Sequence, residues 1–473
     1  MALTSFGFLL LFLPIVVIGA HVLRDARSAR SAQIWILAAS LVFYAADRPV
    51  NVALLLGSIA FNWMVARAFS RDGMAPSART GLFVLGLAVD IAVLCVFKYA
   101  FLVDAGLGRA AGRGVAATFG FPLGVSFFTL TQVMYLVDCY ERLVPPSGLL
   151  DHATFVALFP NVTAGPLVRA KRVIGQLGDL AGATARDERL ARGLTLMAMG
   201  LFKKVVLADS FARVANAGYA NAATLSSAGT WLTSLAFTFE MYFDFSGYSD
   251  LAFGAARLLG ISLVRNFNAP YRAVTISDFW QRWHISLSSF ITTYLYTPLI
   301  RAMGRVTIHT SAVATVLAMA ITGLWHGAAW TFILFYVAHG IALATYQYWK
   351  RLKRPLPRPL AAVVTFAFVN AAFILFRAPD VATALRLMRR LVPIGGGAGA
   401  TVFTGSFANA DGAVVALAML AGAVVALVGP TSDEAAERFR PSRGAAAAVA
   451  VMTCVSFVFM SVGTASPFLY RAF

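Results

Sequence analysis

The sequence has few charged residues. Only 13% of its 473 residues are charged, while 59% are hydrophobic; a soluble domain has about a quarter charged residues. This shortage excludes a large soluble domain and predicts an integral membrane protein. Acidic residues are the scarcer sign, with 21 Asp and Glu against 39 Lys and Arg and a net charge of +18. In a soluble protein such an excess of basic residues would suggest nucleic-acid binding. In a membrane protein it is explained by basic cytoplasmic loops. We therefore expect membrane lipids, and no nucleic acid, as partners.

Several kinds of catalytic or cofactor site are also missing. Cys95, Cys139 and Cys454 are far apart and match no metal or redox spacing. The chain contains no G-x-S-x-G elbow, no Walker A loop and no H-E-x-x-H motif. We therefore expect no metal site and no tightly bound cofactor. What remains is acid–base chemistry by a histidine inside the membrane.

The hydrophobic runs predict an all-α polytopic membrane protein. A membrane-spanning helix needs roughly 20 apolar residues, and the runs suggest about eleven crossings with additional re-entrant or interfacial helices. No long linker divides residues 1–473, so we expect a single membrane domain. Five of the nine residues 350–358 are Lys or Arg, and short basic loops face the cytosol.

Three apolar segments contain residues that do not suit a plain membrane span. They are 155–168 with Pro160 and Asn161, 239–254 with Glu240 and Asp244, and 277–299 with Asp278, Arg282 and His284. Helix breakers at membrane depth are tolerated where the backbone is buried in protein or lines a cavity. The pattern predicts a polar cavity within the bilayer, walled by broken helices.

His326 is the first candidate for chemistry, because an ionisable side chain at membrane depth is functional by default. It lies between Trp325 and Gly327, and Trp330 is four residues on, on the same face if the helix continues. This arrangement predicts a narrow pocket with aromatic walls. The alternative is a histidine that only forms a hydrogen bond between helices.

His284 is the second candidate and follows Trp280 and Trp283. Asp278 and Arg282 are four residues apart and can pair on one helical face, while Trp280 and His284 would share another. The alternative is an interfacial amphipathic helix with an aromatic belt.

His339 is expected to play a structural or lining role. It follows His326 by 13 residues, which on one continuous helix corresponds to about 19.5 Å of rise and about 220° of rotation. On that assumption the two histidines cannot share a site.

The motifs resemble those of a known family. They include LVFYAADRPVNVALLLGSIAFNW (41–63), FPLGVSFFTLTQVMYLVDCY (121–140), LFPNVTAGPLVR (158–169), YFDFSGYSDLAFGAARLLGI (242–261), FWQRWHISLSSF (279–290), GLWHGAAWTFILF (323–335) and PFLYRAF (467–473). In this order they resemble the membrane-bound O-acyltransferase family, and within it the bacterial alginate O-acetyltransferase branch. The shared order over more than 400 residues makes the resemblance highly specific.

The resemblance implies a fold and an activity. Family members form a ring of tilted helices around a tunnel, and the resemblance to the bacterial branch implies a multi-pass protein of the bacterial cytoplasmic (inner) membrane. An acyl donor, acetyl-CoA or another acyl thioester or carrier, reaches the tunnel from the cytosol, and a hydroxyl acceptor reaches it from the other side. Carried onto this sequence, the catalytic histidine of W-H-G is His326, and the second active-site histidine, of R-W-H-I-S-L-S, is His284.

The expected function is O-acetylation of an exported polysaccharide, with periplasmic acetyltransferases as partner proteins. His326 would act as general base, and His284 or Trp283 would stabilise the oxyanion. A cell-wall polymer or teichoic acid is the alternative acceptor. The residues predicted to bind substrate are Trp325, Trp283, Arg282, Trp330, Asp244 and Asn161.

The sequence departs from the alginate branch directly after the His284 motif. That branch continues with an Arg-Asp pair and, further on, a glycine pair, whereas this chain has Thr292-Thr293 and Ile300-Arg301. The departure makes alginate itself uncertain as the acceptor. A transporter and a non-catalytic export scaffold are the rival functions. A transporter should show interrupted segments paired between two halves, and the sequence shows none.

Overall fold

The computed structural model describes residues 1–107, 122–163, 165–178, 180, 186–327, 329–392, 410–440, 442–462 and 469. Within these ranges the chain is helical and has no β-strand. The α-helices, in chain order, are α1 Leu13–Ala26, α2 Ala29–Ala45, α3 Val50–Phe69, α4 Pro76–Leu107, α5 Val125–Tyr140, α6 Leu149–Ala157, α7 Phe159–Val162, α8 Ala170–Leu177, α9 Arg186–Phe202, α10 Asp209–Ala220, α11 Ser227–Leu258, α12 Ile276–Arg282, α13 Ile285–Phe290, α14 Thr297–Ala302, α15 Ile308–His326, α16 Trp330–Arg351, α17 Arg358–Arg377, α18 Val381–Leu391, α19 Ala410–Val428, α20 Ser432–Glu437 and α21 Arg443–Val462.

Six helices in the described ranges are long and apolar enough to cross a membrane. They are Gly7–Ala26, Val50–Phe69, Pro76–Tyr99, Ile308–His326, Arg358–Arg377 and Arg443–Val462. This confirms the prediction of an all-helical chain with several membrane spans. The total of about eleven crossings and the central tunnel stay predictions.

The chain divides into two compact units, one of Met1–Met197 with Tyr248–Val264 and one of Ala198–Gly247 with Arg265–Arg471. In the first unit, four phenylalanines, Phe8, Phe12, Phe43 and Phe159, pack with ring centroids 5.3–6.0 Å apart. This cluster joins the N-terminal helices to the short helix α7. Whether the whole chain acts as a single domain stays a prediction.

Two of the three segments expected to be broken are broken, and one is not. Residues 155–168 contain the end of α6, the four-residue helix α7 and a non-helical stretch. Residues 277–299 contain α12, α13, a π-helical turn Ile291–Tyr296 and the start of α14. Residues 239–254, in contrast, lie within the continuous 32-residue helix α11. Asp244 of α11 pairs with Lys204 without any break in the helix.

Helices α15 and α16 form a hairpin that carries His326 at its tip. Helix α15 ends at His326, and α16 begins at Trp330. Gly323 lets the two helices approach closely, because a Cβ at this position would lie 2.9 Å from the Ile333 Cα. The helix does not continue from His326 through Trp330, a possibility raised by the sequence, because α15 ends at His326 and α16 begins only at Trp330.

Candidate active site

The hydrogen bonds of His326 fix its tautomer. The side chain is 1% exposed, and its Nδ1 lies 3.0 Å from the Thr322 carbonyl oxygen. A carbonyl oxygen only accepts, so Nδ1 carries the proton and donates it. Nε2 then holds the lone pair and accepts from the Tyr336 hydroxyl, 2.8 Å away. A neutral imidazole with a fixed lone pair is the form that a general base requires.

Aromatic rings surround His326. The Tyr336 ring centroid lies 4.5 Å from that of His326, and the half-buried Trp325 ring meets the imidazole edge to face at 4.5 Å. Phe376 lies 6.3 Å away. Such a pocket keeps bulk water from the imidazole.

Trp330 does not share the helical face of His326. The expectation required a continuous helix, but α15 ends at His326 and Trp330 is the first residue of α16. Its side chain is 70% exposed. Placing Trp330 in the wall of the histidine pocket was therefore wrong.

His284 lies at a break between two short helices. Helix α12 ends at Arg282, Trp283 is extended, and His284 has φ +43° before α13 begins. A non-glycine residue in the left-handed region is uncommon, and such strain concentrates at functional sites. The expectation that Trp280 and His284 share a helical face is wrong, because the helix ends between them.

Asn266 holds His284 in place. The His284 Nδ1 lies 3.1 Å from the Asn266 Oδ1, and the same oxygen accepts from the Ser286 backbone N–H at 3.2 Å and the Ser286 hydroxyl at 2.9 Å. These donors identify the Asn266 atom as an acceptor, so the His284 Nδ1 carries a proton. The ring of Phe245 packs edge to face on the imidazole at 4.6 Å.

This arrangement argues against His284 as the oxyanion donor. Its lone pair lies on Nε2, and its side chain is 1% exposed. Burial disfavours the charged imidazolium, and a neutral Nε2 accepts hydrogen bonds but cannot donate one. Trp283 is the remaining sequence-predicted donor, with its side chain 3% exposed.

Arg282 pairs with Asp278 as predicted. Its Nε lies 2.6 Å from the Asp278 Oδ1, and its Nη1 donates to the Asn268 carbonyl at 3.3 Å. Asp278 also accepts from the Val274 backbone N–H. The guanidinium therefore ties α12 to the preceding loop, and its role in binding substrate stays a prediction.

A chain of aromatic contacts links the two histidines within the second compact unit. It runs from His284 through Phe245, Phe267, Trp283, Phe373, Phe335 and Tyr336 to His326, with ring centroids 4.5–5.6 Å apart. Trp283 lies in the middle of this chain. That both histidines open into one cavity stays a prediction.

His339 belongs to the same aromatic network. Its Nδ1 accepts from the Trp280 indole N–H at 3.2 Å, and Trp280 packs on Tyr336 at 6.0 Å. The rotation argument that separated His339 from His326 was wrong, because the two residues lie on different helices. His339 fixes Trp280, which fits the expected structural or lining role.

Asp244 is engaged by the protein itself. Its Oδ1 lies 2.6 Å from the Lys204 Nζ, and its Oδ2 accepts from the Leu469 backbone N–H at 3.0 Å. Lys204 also pairs with Asp209 at 3.0 Å. Both oxygens of this buried carboxylate have protein partners, so the geometry favours a structural role over the predicted substrate contact.

Asn161 carries a buried amide group. It lies on α7 in the first compact unit and is 8% exposed. Its buried Oδ1 has no hydrogen-bond partner in the described part of the chain. A contact between this amide and substrate stays a prediction.

A cavity of about 570 Å³ adjoins the aromatic network. Trp280 and Met319 form part of its wall, and hydroxyl and amide groups form much of the rest, from Ser288, Thr292, Thr293, Tyr296 and Gln347. The Thr292-Thr293 pair that departs from the alginate branch therefore faces this cavity. No group of three or more metal-ligating side chains is found within the described ranges.

Sequence reasoning missed Asn266, Tyr336 and Lys204. Asn266 lies in an irregular stretch that showed no motif, although an amide in an apolar segment was a usable signal. Tyr336 follows His326 by ten residues, a spacing that only the hairpin makes meaningful. Lys204 is a lysine next to an apolar run, and its burial depends on the distant Asp244.

These features define a class: a helical membrane protein with two buried, neutral, tautomer-fixed histidines beside a polar cavity. The sequence model of the MBOAT family, the membrane-bound O-acyltransferases, matches residues 76–383 of this chain. The chain is 37% identical to the peptidoglycan O-acetyltransferase of Helicobacter pylori, over 82% of this chain and 79% of that protein. It is 34% identical to the probable alginate O-acetylase AlgI of Azotobacter vinelandii, over 84% and 79% respectively. The teichoic acid D-alanyltransferase of Streptococcus thermophilus is 28% identical over 54% of this chain.

The chain thus belongs to the membrane-bound O-acyltransferase family and is an acyltransferase. This confirms the resemblance that its motifs indicated.

Proposed function

We propose that this enzyme transfers an acetyl group from a cytosolic thioester to hydroxyls of an exported polysaccharide or cell-wall polymer. The observation that carries the proposal is the fixed tautomer of His326, with Nδ1–H on the Thr322 carbonyl and the Nε2 lone pair directed at a hydroxyl. The position that the Tyr336 hydroxyl occupies is where an acceptor hydroxyl would have to bind. The proposed location is a bacterial cytoplasmic membrane.

In the proposed reaction the acceptor hydroxyl displaces Tyr336 at Nε2 and gives its proton to His326. The acceptor oxygen then attacks the thioester carbonyl and forms the ester bond. The carbon–sulfur bond breaks, and the departing thiolate takes the proton back from the imidazolium. His284, with its lone pair on Nε2, accepts a hydrogen bond from one substrate, for example from an amide N–H of the donor.

The cavity of about 570 Å³ is the proposed donor side. It includes Lys350, which belongs to the basic segment 350–358 predicted to face the cytosol. Its hydroxyl and amide groups suit the amides of a pantetheine arm, and Trp280 connects its wall to Tyr336. The acceptor would then approach from the periplasmic side, where partner acetyltransferases would act on the same polymer.

Peptidoglycan is the second candidate acceptor. Two observations favour it over alginate: the 37% identity to a peptidoglycan O-acetyltransferase and the loss of the alginate branch's Arg-Asp pair at Thr292-Thr293. D-Alanylation of teichoic acid has weaker support, from a relative at 28% identity.

The test supplies labelled acetyl thioester to the cytosolic side of membranes that contain the enzyme and its polymers. Label should appear as alkali-labile ester on one polymer fraction, and His326→Ala should remove it, because general-base catalysis is worth about 10²- to 10⁴-fold in rate. Label on the peptidoglycan fraction selects the second candidate. Unchanged labelling with His326→Ala would refute the proposal.

A further inference from the structure

A second cavity lies beside the proposed donor cavity. It has a volume of about 660 Å³ and is bounded by the start of α12, the end of α16 and the first half of α17. Ligand pockets usually measure about 300–1,000 Å³, so this one is large enough for part of an organic ligand. It shares Tyr346 and Lys350 with the donor cavity, and the proposed reaction uses none of its other lining residues.

The wall of this cavity is apolar, and part of it is exposed on the surface of α17. It includes Ile276, Ala342, Ala361, Val364 and Phe368. Val364 is 50% exposed and belongs to α17, which is one of the candidate membrane spans. An apolar wall that is exposed on a membrane-spanning helix faces the hydrocarbon chains of the bilayer. The acyl tail of a lipid can therefore contact it.

The rim of this cavity is strongly basic. Lys350, Lys353, Arg354 and Arg358 line it at the turn between α16 and α17, and residues 350–358 contain no acidic residue. All four side chains belong to exposed residues, and none of them has an ion-pair partner in the described ranges. The uncompensated charge sits at one mouth of an apolar groove.

The rim also lies at the expected depth for lipid headgroups. Trp349 and Tyr346 line the cavity, and such aromatic residues concentrate where membrane meets water. Basic pockets between membrane helices on the cytoplasmic side bind anionic lipid headgroups. The basic rim, the apolar wall and the expected depth in the membrane therefore all favour a lipid with an anionic headgroup.

We propose that this groove is a binding site for an anionic phospholipid, with the phosphate on the basic rim and one acyl chain along α17. The lipid would contact Thr275 and Ile276, where the helix that carries Trp280 and Arg282 begins. The acyl donor is not the favoured occupant, because Trp280, the link to Tyr336, lines the neighbouring cavity. This site does not depend on the identity of the acceptor polymer.

The test uses the full-length protein in phosphatidylcholine vesicles with increasing phosphatidylglycerol that carries brominated tails. Bromine quenches nearby tryptophan, and the signal of Trp349 is isolated as the difference from a Trp349→Phe variant. Quenching should saturate at a low fraction of the anionic lipid, and brominated phosphatidylcholine should not reproduce it.

The double variant Lys353→Gln with Arg354→Gln should weaken this binding about 10- to 30-fold, because each basic residue near the surface attracts anionic lipid. The matched control, Arg438→Gln with Arg440→Gln, removes the same charge from two other exposed arginines and should leave binding unchanged. Melting temperatures check folding. If the double variant melts early, each single substitution is tested instead and should weaken binding about fivefold.

Three results would overturn the proposal. One is equal quenching by the neutral lipid, and another is an equal loss in the control variant. The third is relief of quenching by added coenzyme A, which would assign the groove to the donor.

Discussion

Single hydrogen bonds decide which nitrogen of each buried histidine can accept a proton. The Thr322 carbonyl fixes the lone pair of His326 on Nε2, and Asn266 does the same for His284. Both histidines are 1% exposed. The lone pair of His326 accepts from the Tyr336 hydroxyl in the described structure. This contact supports the proposal that His326 is the base.

Tyr336 should compete with the acceptor for the His326 Nε2 without performing the reaction. Tyr336→Phe removes the hydroxyl and keeps the ring, so the acceptor no longer has to displace a hydrogen bond worth about 1 kcal/mol net. We expect the acyl-transfer rate to be retained or to rise by up to about fivefold, measured as initial rates at matched membrane levels. A loss as complete as that of His326→Ala would mean that the phenol itself takes part in proton transfer.

Asn266 should be needed for both folding and activity. Asn266→Ala removes the acceptor for His284 and for two donors of Ser286, and unmet buried donors cost about 1–3 kcal/mol. The melting temperature in detergent and the transfer rate should both fall. The control is Asn268→Ala, two residues on in the same segment, whose side chain is only half-buried. Equal effects of the two substitutions would contradict the assignment.

At the residue scale, the sequence predicted which residues belong to the candidate site better than it predicted which residues contact them. It selected His326 and His284 from their tryptophan-flanked motifs, and it predicted the Asp278–Arg282 pair from its spacing. It could not predict Tyr336 or Asn266 as partners, since those contacts depend on a hairpin and a loop. The sequence predicts Asp244 as a substrate contact and gives no sign of its partner Lys204, which lies 40 residues earlier in the chain.

At the scale of elements, two chain breaks create the candidate site. One separates α12 from α13 and places His284 at positive φ, and the other separates α15 from α16 and places His326 at a helix end. The sequence predicted the break between α12 and α13, because polar residues interrupt an apolar run there. It did not predict the break between α15 and α16, because the glycine and alanine residues there also occur inside membrane helices.

The Lys204–Asp244 pair should act as an anchor for the C-terminal segment through Leu469. Lys204→Met leaves Asp209 and Asp244 without their shared cation, and an uncompensated buried charge costs about 3–5 kcal/mol. Asp244→Asn should be milder, because Lys204 keeps Asp209 at 3.0 Å. Thermal unfolding of both variants tests whether Lys204→Met is the more destabilising of the two.

The double variant Lys204→Met with Asp244→Asn should be less destabilised than the sum of the single variants, since the two groups interact directly. If Asp244→Asn instead left stability intact and raised only the KM for a substrate, the prediction from the sequence that Asp244 binds substrate would be confirmed.

At the scale of the whole molecule, composition alone established the class. The shortage of charge predicted a helical membrane protein, and the ordered motifs predicted the family that the comparisons confirm. The number of crossings could not be predicted as firmly. Short helices such as α7, α12 and α13 lie in segments that contain many apolar residues, but none of them is long enough to span a membrane.

The orientation of the whole chain follows from the basic segment 350–358, which should face the cytosol. A single cysteine introduced as Lys353→Cys, in a chain whose three native cysteines are replaced by alanine, tests this. An impermeant thiol reagent should label it only after the cells are permeabilised. Ready labelling in intact cells would reverse the orientation and move the proposed donor cavity to the outside.

The most direct test of the central claim is the activity of His326→Gln. Glutamine keeps roughly the size of the side chain and can still bridge the helices, but it cannot accept a proton at neutral pH. Polymer-bound ester is measured at matched membrane levels for His326→Gln, His326→Ala and the unaltered protein. If His326 is the general base, the Gln variant should be as inactive as the Ala variant. A Gln variant that retains most of the activity would show that His326 only holds the helices together and would contradict the mechanism.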